Sequence, residues 1–325
     1  MTLKEKDILD ALKIALKLAS NTSESRVTDN DFLQQGYRTD GGESSENCIY
    51  YLDDFRKNIQ SFSKHCLEYK DAPGGELNKN RWGLVPMAAL RSSAALTYNI
   101  FGDDSCCLIN ENKWHLCPGL YTLKYEWQSE TINGHMANLD AHLHQGNCHL
   151  FVEMKMLEPL TRLHPFKTYQ QYKDSDCPCE FKKAFDEFMK EKEPPLHFDA
   201  FQMLKHLLAI YNHFKNNKYE GRQKVVLLNC HWEPSKFYVD NHIYSNRTIS
   251  LKETYEKFQD TADRFIAMQN GDINFRSLFD GIGVDLELAT CDHRKLIQIV
   301  GKENDKYLKR YEIDESSNCF RFSRG

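Results

Sequence analysis

Residues 150–159 of the chain read LFVEMKMLEP. Apolar residues dominate it, as in a buried strand, yet Glu153 and Lys155 stand two positions apart inside it. Side chains along a strand alternate between the faces of the sheet, so this acid and this base point to the same face. Burying charged groups is costly unless they are paired. The stretch therefore predicts either a salt bridge, which is what an acid and a base at this spacing usually form, or a catalytic site.

Three extended segments stand close together around this stretch, at 120–130, 136–144 and 148–157. The short connections TINGH and QGN between them contain Asn and Gly, which are typical of tight hairpin turns. These signals predict an antiparallel meander of three strands. A strong helix at 198–215 and an apolar strand at 224–232 follow, and we expect that strand to join the sheet in parallel after the crossover helix.

The rest of the chain predicts mainly helices around this core. We expect an amphipathic helix at 3–19, a polar loop at 20–46, helices at 49–69 and 87–102, an insertion at 167–196 with one exposed helix, a helix at 251–269, a short strand at 284–289 and a terminal helical stretch. The predicted organisation is an N-terminal helical extension over 1–70, a core over 71–235 and a C-terminal α/β extension over 236–325.

Composition narrows the class of protein without naming a function. The chain has 325 residues and a formal net charge of −5, which gives no global support for a protein that coats nucleic acid or an anionic membrane. No run of apolar residues is long enough for a transmembrane helix. The 11 cysteines are scattered, and the first residues lack a signal-peptide core, so we expect reduced thiols, a cytoplasmic location and no membrane partner.

A candidate metal site arises if the meander pairs as predicted. Asp140 lies on the strand before Glu153, and the two carboxylates converge near one end of the sheet. Without support they would repel each other and be costly to bury. A divalent cation that prefers oxygen ligands, Mg²⁺ or Mn²⁺, removes that cost. Lys155 would then lie where it can orient or deprotonate a water and offset charge on a phosphate.

Several short motifs follow one another along the chain in an order that is also found in a known protein family. They are GGEL at 74–77, RSSAALTYN at 91–99, Glu126 on the first strand, LDAHL with Asp140, EMK with Glu153 and Lys155, and then Glu158. Together they resemble the PD-(D/E)xK nuclease superfamily, in particular uncharacterised restriction-endonuclease-like members. The resemblance covers roughly residues 70–235, and LD stands where the superfamily has PD, which leaves the acid in place.

The resemblance implies an α/β fold with a restriction-endonuclease-like core, made of a helix, a three-strand antiparallel meander, a helix and a parallel strand, with helical additions at both ends. It implies a metal-dependent nuclease that hydrolyses DNA, with a restriction-type endonuclease as one form of it. The expected partners are DNA and, in a homodimer, a second copy of the chain. Asp140, Glu153 and the carbonyl of Met154 would hold the metal, and Lys155 would be the catalytic base or position the water. Glu126 and Glu76 are candidate additional acids.

Several other residues have both a functional and a purely structural interpretation. Glu76 could equally be an acid at a helix N-terminus, and Gln202, at a position where many relatives have Gln, could be an exposed helical residue. His142 would line the cleft and contact phosphate, or be a satisfied core histidine. Cys177 and Cys179 could hold a metal only with distant cysteines. The alternative function is a non-catalytic nucleic-acid- or protein-binding module on the same core.

Overall fold

The computed structural model describes residues 2–3, 5–20, 27–39, 42–61, 64–72, 75–80, 82–102, 104, 106–114, 116–161, 170–189, 197–234, 243–244, 250–305 and 307–313. The chain forms two compact units. The first comprises Met1–Asp104, Trp232–Thr254 and His293–Gly325, and the second Ser105–His231 and Tyr255–Asp292.

The described part of the chain contains both strands and helices, which makes it a mixed α/β protein. The strands are β1 Thr2–Leu3, β2 Phe32–Thr39, β3 Gly42–Leu52, β4 Cys106–Ile109, β5 Gly119–Glu130, β6 Met136–Gln145, β7 Cys148–Lys155, β8 Gln223–His231, β9 Ile243–Tyr244 and β10 Val284–Asp292. The helices are α1 Glu5–Ser20, α2 Glu68–Asp71, α3 Ser93–Phe101, α4 Glu158–Thr161, α5 Gln170–Lys173, α6 Cys179–Met189, α7 Ala200–Asn216, α8 Leu251–Ala267, α9 Phe275–Asp280 and α10 His293–Ile299.

A six-stranded mixed sheet organises the second unit. Its strand order is β10-β8-β7-β6-β5-β4. Strands β4, β5, β6 and β7 pair antiparallel with one another in that order, whereas β8 runs parallel to both β7 and β10. The parallel pairing of β7 and β8 across α7 agrees with the order expected from the sequence. Strand β10, which the sequence assigns to a C-terminal α/β extension packed on the core, forms one edge of this sheet.

The two hairpin turns of the sheet follow from their residues. Between β5 and β6, Asn133 and Gly134 both have positive φ, at 48° and 78°. That conformation is the one that Asn-Gly adopts in type I′ hairpins, whose twist matches that of the flanking strands. Between β6 and β7, Gly146 has a φ of 56° at the first position of a two-residue turn. Local sequence thus determines the register that places β6 beside β7.

Helix α7 covers one face of the sheet and forms the centre of the core. Its buried stripe includes Leu204, Leu207 and Leu208, as the helical spacing of its apolar residues predicts. Strand β7 is buried over almost its whole length, in agreement with its apolar residues on both faces. The candidate site therefore lies between a buried strand and a buried helix.

Helix α6 corrects the expectation of an exposed helix in the 167–196 insertion. Phe181, Phe185 and Phe188 are each no more than 1% exposed, and the ring of Phe185 stacks on that of Phe201 in α7 at 5.3 Å. The charged residues of this segment suggested a solvated helix, but its phenylalanines recur at helical spacing and face the core. Residues 162–169 and 190–196, at the two ends of the insertion, lie outside the described residues.

The first unit corrects the predicted N-terminal helical extension. Helix α1 agrees with the helix expected at 3–19, but the polar loop at 20–46 and the helix at 49–69 are wrong. Strands β2 and β3 form an antiparallel hairpin there, and short 3₁₀ turns and α2 follow. The sequence contained a signal for this hairpin, because an Asp-Gly pair at 40–41 lies between two runs with aromatic and β-branched residues.

Across the described residues, no helix combines the length and the apolar character needed to cross a membrane.

Candidate functional site

Glu153 and Lys155 form a buried ion pair near the C-terminal end of β7. The Nζ atom of Lys155 lies 2.6 Å from Oε1 of Glu153, and the two side chains are 15% and 5% exposed respectively. Both residues project from the same face as Phe151, whose ring lies in the core beneath α7. The strand alternation expected from the sequence thus places the acid and the base together in an apolar setting.

Two side chains of α7 reach this pair. Gln202 accepts a hydrogen bond from Lys155, with Nζ and Oε1 2.7 Å apart. His206, one turn further along the helix, places Nε2 3.1 Å from Oε2 of Glu153. Residues four apart share a helix face, so one helix contacts both members of the pair. Gln202 is therefore part of the constellation, and the alternative of an exposed helical glutamine does not hold.

Asp140 joins the site where the pairing of β6 with β7 ends. The last paired residues are Ala141 and Val152. Beyond them the Met154 amide donates a hydrogen bond to Oδ2 of Asp140, with the two atoms 2.6 Å apart. A side-chain carboxylate thus takes the place of the next main-chain partner, which brings Asp140 to the strand that carries Glu153 and Lys155.

The two carboxylates have opposite protonation tendencies. Burial and the charges of Glu153 and Glu126 raise the pKa of Asp140 well above its ordinary value. Burial alone would also raise the pKa of Glu153, but Lys155 and His206 outweigh it and lower that pKa to about 2. Glu153 is therefore ionised at neutral pH, while Asp140 tends to hold its proton until another cation compensates its charge.

Lys155 keeps its positive charge in this setting. Burial disfavours the ammonium, but the carboxylates of Glu153, Glu158 and Asp140 raise the pKa of Lys155 above its ordinary value. A lysine with a raised pKa is a poor proton acceptor at neutral pH. Of the two roles that the sequence left open for Lys155, these surroundings favour positioning and charge compensation over general-base catalysis.

Glu126 interrupts the strand alternation expected for β5. Lys124, Glu126 and Gln128 should share one face, but Glu126 is buried and has a φ of 49°. The neighbouring Trp127 packs its ring 4.7 Å from that of Phe151. Positive φ is rare for a residue with a side chain and is often found at functional sites. Glu126 accepts a hydrogen bond from Asn138 and raises the pKa of Asp140, so its carboxylate belongs to the electrostatic surroundings of the site.

The structure adds two polar residues that the sequence analysis did not single out. One is His206. The other is Asn229, which lies opposite Glu153 in the pairing of β7 with β8 and is 3% exposed. Among the described residues its Oδ1 atom has no hydrogen-bond partner, and its Nδ2 atom donates only to the sulfur of Met203, at 3.6 Å. The signal was present in the sequence, because Asn229 interrupts an otherwise apolar central strand.

His142 lies inside the core. Its ring stacks on that of Phe151 with centroids 4.2 Å apart, and its Nε2 atom is 3.2 Å from Nδ1 of His149. Burial, with smaller contributions from the neighbouring histidines, lowers the pKa of His142 well below its ordinary value. A neutral, buried ring has no charge to offer a phosphate, which argues against the predicted substrate contact.

The remaining predicted site residues are Glu76, Cys177 and Cys179. Glu76 belongs to the first unit and lies in a turn, not at the start of a helix, and its carbonyl accepts a hydrogen bond from the Met87 amide. Its part in a metal site stays a prediction, as does that of the Met154 carbonyl. Cys177 and Cys179 are free thiols at the start of α6.

Within the described ranges, no group of three or more His, Cys, Asp or Glu side chains is arranged to hold a metal ion. A metal at this site would therefore rest on one or two carboxylates, together with ligands that the side chains do not supply. Comparison with family models, with curated proteins and with solved structures gives no match.

Proposed function

We propose that this chain is a metal-dependent nuclease that hydrolyses DNA phosphodiester bonds on a restriction-endonuclease-like core. One observation carries the proposal. Glu153 and Lys155 are buried together on β7, and the carboxylate of Asp140 is hydrogen bonded to the residue between them. A strand in an apolar core does not need this arrangement for stability, because well-packed apolar residues serve as well as a buried ion pair.

The donor chemistry of the site fits Mg²⁺ or Mn²⁺. Asp140 and Glu153 offer hard oxygen ligands, and Mg²⁺ commonly uses one or two carboxylates with water and phosphate oxygens for the rest. The raised pKa of Asp140 supports the fit, since a buried acid whose neighbours are negative gains most from a cation. When bound, the ion would offset the negative charge that develops on the phosphate during hydrolysis.

The residues of the chain have separate tasks in this proposal. Lys155 presents a fixed positive charge toward the phosphate oxygens, because Glu153 and Gln202 hold its Nζ atom on two sides. The imidazole of His206 lies beside the second oxygen of Glu153, with Nε2 3.1 Å from Oε2. DNA is the proposed substrate by resemblance, and two copies of the chain could act together on a duplex.

The alternative is a non-catalytic binding module, and one observation favours it. Lys155 donates to Glu153 and Gln202, and Asp140 accepts from the Met154 amide, so these two residues have partners without any ligand. Such a network can also serve structure alone.

The test is nicking of supercoiled plasmid over a titration with Mg²⁺ and Mn²⁺. Cleavage that needs Mg²⁺ or Mn²⁺, stops in excess EDTA and is lost in Lys155→Ala supports the nuclease. The matched control is Lys252→Ala, which removes an exposed lysine on α8 and should leave the rate unchanged. Cleavage that persists in EDTA, or an equal rate in Lys155→Ala, would exclude the proposed mechanism. A protein that binds DNA but cleaves neither DNA nor RNA would favour the binding module.

A further inference from the structure

Two cysteines stand opposite each other on neighbouring strands of the sheet. Cys230 on β8 and Cys291 on β10 are direct partners in the parallel pairing of these strands. Both are free thiols; Cys230 is fully buried and Cys291 partly exposed. They lie far apart in sequence, so only the pairing of β8 with β10 brings them together.

The pairing of β8 with β10 sets the two thiols beside each other. Burial raises the pKa of Cys230, and the neighbouring Cys291 adds to the shift. Paired residues on neighbouring strands project from the same face, and the strands are about 4.8 Å apart. That spacing falls within the range of Cα separations found in disulfides, which is roughly 4.4–6.8 Å.

The same spacing explains why a bond here would be reversible. A relaxed disulfide has its Cβ atoms about 3.5–4.5 Å apart, whereas paired side chains project in the same direction from strands about 4.8 Å apart. Closing the bond therefore draws β8 and β10 together and stores strain. Strained disulfides are more easily reduced than relaxed ones, and they are typically the regulatory or catalytic ones.

We propose that Cys230 and Cys291 are a redox-active pair, which low-molecular-weight disulfides convert to an intramolecular disulfide between β8 and β10. The chemical class of the reactant is a soluble disulfide such as oxidised glutathione. Cys291 is the thiol that reacts first with the soluble disulfide, because its side chain is partly exposed, and Cys230 is the resolving thiol.

The reaction balances in two exchange steps. The Cys291 thiolate attacks one sulfur of oxidised glutathione, which breaks that disulfide, forms a mixed disulfide and releases one glutathione thiolate. Cys230 then gives up its proton to solvent and attacks the Cys291 sulfur, which forms the Cys230–Cys291 bond and releases the second glutathione. The two protein thiols are oxidised, and one small disulfide is reduced to two thiols.

The position of Cys230 on β8 connects the state of the thiol pair to the candidate site. Cys230 lies between Asn229 and His231, which are the pairing partners of Glu153 and Lys155 on β7. Drawing β8 toward β10 would therefore shift the strand that supports the ion pair. This regulatory consequence rests on the proposed nuclease function, whereas formation of the disulfide does not.

The experiment treats the full chain with oxidised glutathione and maps its disulfides by mass spectrometry without reduction. We expect a peptide pair linked through Cys230 and Cys291 to be the main product, and dithiothreitol to reverse it. In Cys230→Ala the resolving thiol is absent, so Cys291 should accumulate as the mixed disulfide with glutathione. The control Cys179→Ser, which removes an exposed thiol on α6, should form the linked pair as the wild type does.

The outcomes that would overturn the proposal are also distinct. One is a wild type in which Cys291 carries glutathione as fully as it does in Cys230→Ala, because no resolution then occurs. Another is a wild type in which both thiols stay reduced while Cys179 is oxidised. Nicking assays on the reduced and oxidised protein test the regulatory consequence separately. If the reduced protein cleaves nothing, the nuclease proposal fails while the mass result still decides the thiol chemistry.

Discussion

Gln202 and His206 lie one turn apart on α7, and each contacts a different member of the Glu153–Lys155 pair. Gln202 lies in the first turn of the helix, where Asp199 caps it by accepting a hydrogen bond from the Gln202 amide. The start of α7 is thus fixed at the point where its side chains enter the site. A displacement of this helix would disturb the acid and the base together.

Replacing Gln202 with Leu should weaken the site while keeping the fold. Leu has a similar size but cannot accept the hydrogen bond from Lys155, and a hydrogen bond to a charged group contributes about 1.5–3 kcal/mol. We expect the nicking rate to fall by roughly tenfold or more, since each 1.4 kcal/mol lost from the transition state costs about a factor of ten. Gln259→Leu, an exposed change on α8, is the matched control. Equal rates in the two variants would contradict the role of Gln202.

Replacing Lys155 with Ala should destabilise the protein as well as stop cleavage. The change leaves the Glu153 carboxylate, 5% exposed, without its nearest cation. Removing one partner of a buried pair typically costs about 3–5 kcal/mol, which urea unfolding would measure. The double variant Glu153→Gln with Lys155→Met removes both charges and should recover most of that loss. A single variant as stable as the wild type would show that the pair is better solvated than its burial indicates.

Replacing Asp140 with Asn should raise stability at neutral and alkaline pH in the absence of divalent cations. The pKa of Asp140 in the folded protein is raised above 3.8, its ordinary value. The contribution of Asp140 to the free energy of unfolding is therefore most favourable below pH 3.8, and it is lost as the pH rises through the folded-state pKa. Asn does not ionise, and its Oδ1 atom can still accept the Met154 amide. Melting curves in EDTA should coincide near about pH 4 and separate as the pH rises. A variant that is less stable throughout would instead identify the charged form of Asp140 as stabilising.

The buried histidines should make the fold sensitive to acid. Burial lowers the pKa of His149 to about 4, although the hydrogen bond between its Nε2 atom and the accepting Oε1 atom of Gln223 opposes the shift. A histidine with a depressed folded pKa stabilises above its unfolded value, about 6.5, and this stabilisation is lost as the pH falls toward 4. A pKa shift of this size corresponds to a loss of about 3 kcal/mol in the free energy of unfolding.

The measurement is the free energy of unfolding from about pH 7.5 to pH 4 for wild type and His149→Phe. The variant should lose less stability over this range, because it has one group fewer to protonate. His135→Phe, at an exposed turn, is the control and should follow the wild type. Parallel curves for all three proteins would contradict the assignment.

The sequence predicts the strands β5 to β8 and helix α7 well, since their signals are local. Asn133, Gly134 and Gly146 determine the turns, and apolar periodicity determines the elements between them. These features also place Glu153 and Lys155 on one face. The parts of the candidate site that depend on one strand or one hairpin could therefore be predicted from the sequence.

Features that depend on segments far apart in sequence could not be predicted in this way. The hydrogen bond from Met154 to Asp140, the contact of His206 with Glu153 and the unpaired Oδ1 of Asn229 all need the packing of separate elements. The positive φ of Glu126 is a further example, because nothing in the alternation of β5 indicates it. Strand alternation predicts which face a side chain occupies only while the backbone stays regular.

The late position of β10 has a consequence for synthesis of the chain. Strand β8 leaves the ribosome well before Val284–Asp292, the segment that pairs with its outer side. At roughly 5–20 residues per second, its apolar edge would stay open for several seconds in each nascent chain. An open edge of this kind is a template for pairing with other chains. Chains that stop before residue 284 should therefore aggregate or require chaperones, even though they contain every residue of the Glu153–Lys155 constellation.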